Sequence, residues 1–263
     1  MKTQSLSAQA TEYKRTVAGK FILLDGLKLE EKLGGSDFYV TIKLDGVMQL
    51  VRYHDGEIES CGSHGKPLSP TLPCLQELAD MLRAQGVESA LLGAELYTNL
   101  GTNGRERVCD VATALADPSL HSTLRLAPFD LRELSGNDTS TLPVEDKMDL
   151  LEALCKGGTL VRPVRGFHCA TISEVREVFD RQVIGGGAEG LVVYSPHTFV
   201  YKVKPRHTID VAVIGFTEGG VRTVATRYSP TGFADVLMHN AARCGVPIFS
   251  SQREIDRYRC FPV

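Results

Sequence analysis

The chain has no uninterrupted apolar run long enough to cross a bilayer, which argues against a helical membrane protein. Its opening, MKTQSLSAQATEYKRTVAGK, has no apolar core followed by a small-residue cleavage site, so it does not read as a secretory signal. It also lacks any C-x-x-C pair. The seven cysteines (Cys61, Cys74, Cys109, Cys155, Cys169, Cys244, Cys260) are odd in number and scattered, which points to reduced thiols in a cytoplasmic protein and against a disulfide framework or zinc site. No internal repeat or low-complexity block is present. Positive charge is not in excess either: a net charge of −3 excludes general polyanion binding by the whole surface, because phosphate neutralisation needs concentrated Lys and Arg. That charge is unevenly spread. From Lys202 onward nine Lys and Arg face five Asp and Glu, so a basic C-terminal portion follows an acidic body.

What is present suits a mixed fold. With 263 residues, 43% of them hydrophobic, the chain can form one large domain, or a core domain with a small appendage. FYVTIK and GVMQLVRY read as strands flanking a turn at Asp45-Gly46, and Asp55-Gly56 leads the second into a hairpin with EIESCG. PCLQELADMLRAQG carries Leu75, Leu78 and Leu82 at helical spacing and stops at Gly86; SALLGAELY and RLAPFDL then read as buried strands. PVEDKMDLLEALCKGG, with Pro143 at its start, and TISEVREVFDRQV, with a Thr171/Glu174 capping box, read as helices. LVVYS and TFVYKVK form a second expected hairpin, and TIDVAVIGF a further strand. Strands outnumber strand-helix alternations, which predicts an α+β fold built on antiparallel sheets. The charge balance changes near Lys204-Pro205-Arg206, so a boundary is expected there, with residues 1–205 as the main domain and 206–263 as a short module.

Charged residues recur in or beside apolar strands. Lys43 ends FYVTIK, with Asp45 and Gly46 at the turn; Glu95 lies in LLGAELY, Glu189-Gly190 in AEGLVVY, and Lys202 and Lys204 in VYKVKP. Each has a plain explanation when read alone: a strand-end lysine is usually solvated, carboxylates form structural salt bridges, and an aromatic such as Phe129 in APFDL is usually core. Charges embedded in several apolar strands are nevertheless costly unless they share partners, a ligand or water. One polar cleft lined by those strands would account for all of them.

The ordered set KLDG, GAEL, FDL, EGLVVY and YKVK resembles the motif series of the covalent nucleotidyltransferases, the superfamily of ATP-dependent DNA ligases, RNA ligases and mRNA-capping guanylyltransferases. The resemblance covers roughly residues 38 to 216, and it implies an antiparallel-sheet adenylation domain. It also implies that Lys43 attacks the α-phosphorus of ATP to form lysyl-AMP, which needs a neutral amine and therefore a lowered pKa. Asp45 would orient Lys43. Lys202 and Lys204 would serve the nucleotide phosphates, Glu95 the ribose or an outer metal-bound water, and Phe129 the adenine ring. Thr41, Ile42 and Gly46 would complete the nucleotide site. Glu189 and Glu95 would face Mg²⁺, or Mn²⁺, between the carboxylates and the triphosphate.

The pattern also departs from DNA ligases. An arginine is usual five residues beyond the nucleophile, where Met48 stands, and another in an S-R-x-G segment, where the chain reads Cys61-Gly62-Ser63-His64-Gly65-Lys66. Thr41 and Ile42 replace the acid often found just before the nucleophile. Ligases append an OB-fold, of which residues 206–263 could supply only a reduced or truncated part. The expected protein is a cytoplasmic, monomeric ATP-dependent polynucleotide ligase sealing 5′-phosphate and 3′-hydroxyl ends, with nicked DNA favoured over RNA. The alternatives are an RNA ligase and an inactive nucleic-acid-binding homologue.

Overall fold

The computed structural model describes residues 4–98, 107–196 and 199–205, together with the backbone of 211–216 and 222–226. The chain divides into two compact units, Met1–Arg206 and His207–Val263. In the first, the elements run α1 (Leu6–Thr16), β1 (Ile22–Asp25), α2 (Leu29–Lys32), β2 (Phe38–Lys43), β3 (Val47–His54), β4 (Glu57–Gly62), α3 (Pro73–Ala84), β5 (Ser89–Thr98), α4 (Val108–Ala116), β6 (Leu124–Leu134), β7 (Asn137–Asp138), α5 (Val144–Leu154), β8 (Gly166–Cys169), α6 (Ile172–Phe179), β9 (Gly190–Tyr194) and β10 (Val200–Lys204). In the second, β11 (Val211–Phe216) and β12 (Arg222–Thr226) pair antiparallel. The expected OB-like module otherwise lies outside the described residues.

The first unit is α+β, with two five-stranded sheets ordered β1-β10-β9-β2-β8 and β4-β3-β5-β6-β7. The pairings are antiparallel as expected, except that β1 runs parallel to β10. β3 and β4 form a two-residue hairpin through Asp55 and Gly56, both with positive φ (48° and 88°), as a type I′ turn requires. β2 and β3 do flank the Asp45-Gly46 turn, but they belong to different sheets. The segment Leu44-Asp45-Gly46 is therefore where the chain crosses from one sheet to the other.

Alternation along each strand gives both sheets one helix-covered face. In the first sheet Phe38, Val40, Leu191, Val193 and Val203 are fully buried against α2 and α6, through Leu29, Val175 and Phe179. In the second, Val51, Leu92, Ala94, Leu96 and Leu126 pack with α3, α4 and α5, through Leu75, Leu78, Val111 and Leu151. Helix α6 starts at a capping box as its sequence predicts: Thr171 Oγ accepts from the Glu174 N–H at 3.3 Å, and the Glu174 carboxylate accepts from the Ala170 N–H at 2.8 Å. The opposite faces of the two sheets, free of those helices, carry the charged strand residues Lys43, Glu95, Lys202 and Lys204.

Two glycines let the strands approach closely enough for this. A Cβ at Gly46 would lie 2.3 Å from the Leu96 carbonyl oxygen and 2.8 Å from Glu95 Cγ, so the crossover can lie against β5 only without a side chain. A Cβ at Gly190 would lie 2.2 Å from the Val203 carbonyl oxygen, pushing β10 away from β9. Gly190→Ala should therefore lower stability by roughly 1–3 kcal/mol through overpacking, and Thr171→Ala by about 1 kcal/mol through loss of its cap; urea unfolding of both variants checks the values.

Candidate active site

Lys43 ends β2 on the face turned away from the α2/α6 core, together with Tyr39 and Thr41. The ladder sets its partners. Lys43 pairs with Gly190 of β9, and Val203 of β10 pairs with Leu191, so Lys204 falls level with Gly190. Glu189, the residue before Gly190, is thereby held between the two lysines: one carboxylate oxygen accepts from Lys43 Nζ and the other from Lys204 Nζ. All three side chains are partly shielded, Glu189 most of all at 15% exposed. Burial works to raise the Glu189 pKa, but Lys43 and Lys204 outweigh it and hold the carboxyl below the usual range.

The second sheet supplies the opposing group. Glu95 of β5 receives the Gly46 N–H, and burial pushes its carboxyl up to about 7. Lys43 opposes that rise, and the negative charge of Glu189 adds to it. Glu95 and Glu189 thus face the same amine from different sheets. Lys202, on the same face of β10 as Lys204, donates to the Ala18 carbonyl oxygen at 2.7 Å and lies 4.9 Å from the Phe21 ring centre. Burial lowers its pKa to about 8, with the charges of Lys14, Lys43 and Lys204 acting in the same direction and Glu95 against them.

The remaining sequence-selected residues are placed differently. Asp45 is half-buried in the crossover between Lys43 and Gly46. Phe129 occupies a bulge of β6, between Pro128, which pairs with Ala94, and Asp130, which pairs with Gly93. It is half-buried on the face that also carries Gly93 and Glu95, and a Cβ at Gly93 would lie 3.2 Å from its ring. Thr41 is buried, its hydroxyl bonded to Tyr194. Ile42 lies on the opposite face of β2, and its N–H donates to Arg165 O at 3.1 Å. Ile42 thus points away from the face of Lys43, whereas Thr41 shares it. Among the described residues, no group of three or more His, Cys, Asp or Glu forms a metal cage of protein ligands alone. The Glu95 and Glu189 pair instead suits Mg²⁺ as it is bound through one or two carboxylates, with phosphate oxygens and water completing the shell.

One element of this region went unread in the sequence. Helix α1 seats Leu6, Ala10 and Tyr13 on Met48, Leu50 and Cys61, over the site-bearing face of β3 and β4. Tyr13 Oη donates to Asp130 Oδ2 at 2.9 Å, and buried Lys147 donates to the other oxygen of Asp130, also at 2.9 Å. The signal was there to find: Leu6, Ala10, Tyr13 and Val17 recur at helical spacing behind Ser5, which accepts from the Ala8 N–H as N-cap.

Two sheets that meet at a crossover lysine, with a carboxylate held between two strand lysines, define a nucleotidyltransferase domain of the ligase type. A model of the family described as ATP dependent DNA ligase domain matches residues 25–209, and the chain belongs to that family. It is 27% identical over 206 residues to a protein of Beutenbergia cavernae named "Probable DNA ligase"; the match takes in 73% of this chain and 39% of that protein, so the chain spans about two fifths of that relative's length. The fold is similar to that of mycobacterial DNA ligase D complexed with ATP and MES, with a TM-score of 0.55, 17% identity and coverage of 86% of this chain and 78% of that one. It is also similar to a structure from a structure-function study of Lig E DNA ligases, described as DNA binding with a minimal scaffold: TM-score 0.51, 15% identity, 80% of this chain and 85% of that one.

The raised pKa of Glu95 fixes a sign for stability. Between about pH 4.5 and 7 the folded protein holds a proton on Glu95 that the unfolded chain has released, so this group's contribution to stability falls as pH rises through that window. Glu95→Gln removes that contribution; urea unfolding at pH 5 and pH 8, without nucleotide, should show the variant gaining on the wild type at the higher pH.

Proposed function

We propose that this chain is the nucleotidyltransferase part of an ATP-dependent polynucleotide ligase, with Lys43 as its nucleophile. The observation that carries this reading is the shared grip of Lys43 and Lys204 on Glu189, opposite Glu95. Lys43 Nζ loses a proton and forms a bond to the α-phosphorus of ATP. The bond from that phosphorus to the oxygen bridging to the β-phosphate breaks, and pyrophosphate leaves. AMP then passes to the 5′-phosphate of a strand end, and the 3′-hydroxyl of the adjoining strand displaces it. Glu189 accepts from the ammonium of Lys43 until the nucleotide enters. Lys204 and Lys202 place positive charge where the phosphates develop negative charge. Asp45 orients Lys43, Glu95 meets the ribose, and Phe129 stacks on the base.

Glu95 and Glu189 are the residues that would hold Mg²⁺, or Mn²⁺ in its place. The bound ion would neutralise the repulsion between those carboxylates and the triphosphate.

DNA is the favoured substrate, supported by the family match and by the resemblance of FDL and TIDVAVIGF to DNA ligases. The second reading, an RNA ligase, draws on the missing arginines at Met48 and in the Cys61–Lys66 segment. An inactive binding protein has no chemical need for two strand lysines sharing one acid, so the enzyme is the better account. Incubation with ATP and Mg²⁺ should add the mass of AMP to the protein; Lys43→Ala and Lys43→Arg should both abolish the adduct, because a guanidinium stays protonated. Absence of an adduct on the wild type would overturn the reading, and nick sealing on matched DNA and RNA duplexes separates the two substrates.

A further inference from the structure

The matched family domain begins at residue 25, and α1 lies before it. The helix is nevertheless fixed to the site at several points. Its apolar stripe covers Met48 and Cys61, and a Cβ at Gly65 would lie 2.2 Å from Ser7 Oγ, so its N-terminal turn lies against the Cys61–Lys66 segment as well. Farther along, Tyr13 is tied to Asp130 beside Phe129, and Ala18 and Phe21 hold Lys202. Both places where the arginines of DNA ligases are absent therefore lie beneath this helix.

Met48 explains how the helix can sit there. It pairs across the ladder with Glu95, so an arginine at this position would bring its cation to Glu95 from within the sheet. Met48 instead is 9% exposed and forms part of the seat for Leu6, Ala10 and Tyr13. An arginine reaching toward Glu95 would put a charged, longer side chain where Leu6, Ala10 and Tyr13 now pack on an apolar one. Lys14 adjoins Tyr13 in the chain, one helical turn before Ala18. Its side chain is exposed and, among the described residues, makes no salt bridge, while its charge acts on both Glu95 and Lys202.

We propose that Lys14 is a nucleotide-binding residue, whose ammonium takes a phosphate oxygen of ATP and supplies from α1 the positive charge that Met48 does not carry. This inference rests on the ligase reading above. The groups near it fit an anion: Lys202, bound to the Ala18 carbonyl one helical turn on, is a second cation, and Glu95, whose charge Lys14 also meets, would take the ribose. A phosphate flanked by Lys14 and Lys202 would also relieve the repulsion between those two ammonium groups. The plainer role for Lys14 is to complement the C-terminal end of the α1 dipole. That role would appear in stability and not in nucleotide affinity.

The same charge could instead meet the 5′-phosphate of a strand end, so the test has two arms. Adduct formation on Lys43 is followed as a function of ATP concentration at fixed Mg²⁺, and sealing is followed on nicked DNA whose 5′ end already carries AMP. Lys14→Ala should raise the KM for ATP about tenfold, as expected for a lost charge-assisted hydrogen bond to phosphate. Lys14→Arg should restore most of the affinity, with the saturated rate, the melting temperature and the sealing of pre-adenylated nicks unchanged. An unchanged KM in Lys14→Ala would overturn the proposal, and so would a defect confined to pre-adenylated nicks, which would assign the charge to the strand. Failure of the ligase reading is distinct, since the wild type itself would then form no adduct.

Discussion

A single carboxylate shared by two ammonium groups organises this cleft. Glu189 can be reached by Lys43 and Lys204 together only because β9 lies between β2 and β10, and because the register sets Lys43 and Lys204 level with Gly190. The three charges are partly shielded from water, where an unpaired member would be costly, so each is stable only while the others hold their places. That dependence transmits to the ladder. A slip of one residue in β9 would take Gly190 out of level with both lysines and turn Leu191 and Val193 out of their helix-covered core.

The glycines belong to the same constraint. Gly46 lets the crossover lie against β5, which brings the Gly46 N–H to Glu95 and Glu95 to Lys43. Gly190 lets β10 close on β9, which sets the reach of Lys204. Each glycine of the KLDG and EG motifs is thus a permission for backbone contact, and the neighbouring acid or base depends on it. A sequence pattern that looks like a list of chemical groups is in part a list of close approaches.

Much of this was legible in the sequence, for local reasons. FYVTIK, EIESCG and the α3 helix were readable because alternation, Asp-Gly turns and leucine spacing are short-range signals. The convergence of Lys43, Glu95, Glu189 and Lys204 came from motif order, since nothing in the local pattern says that β2 and β3 part into different sheets. The parallel pairing of β1 with β10 joins residues 179 positions apart, such as Ile22 and Tyr201, and left no local trace. Thr41 and Ile42 both stand beside Lys43 in the chain, but strand alternation puts only Thr41 on its face, where the hydroxyl is bonded to Tyr194. Helix α1 was missed because its buried stripe is thin, with small Ala10 and amphipathic Tyr13 doing the packing. Met48 read as an absent arginine, and only the fold reveals it as the seat of a helix.

The crossover at Leu44–Gly46 divides labour between two independently cored slabs. Lys43, Glu189 and both β10 lysines are anchored in one slab, while Glu95 and Phe129 are anchored in the other. Tilting the slabs would move Glu95 and Phe129 relative to Lys43 yet leave the grip of Lys43 and Lys204 on Glu189 undisturbed. The two groups can therefore drift separately under mutation: substitutions beneath β5 and β6 adjust Glu95 and Phe129, and those beneath β9 and β10 adjust Glu189 and the lysines.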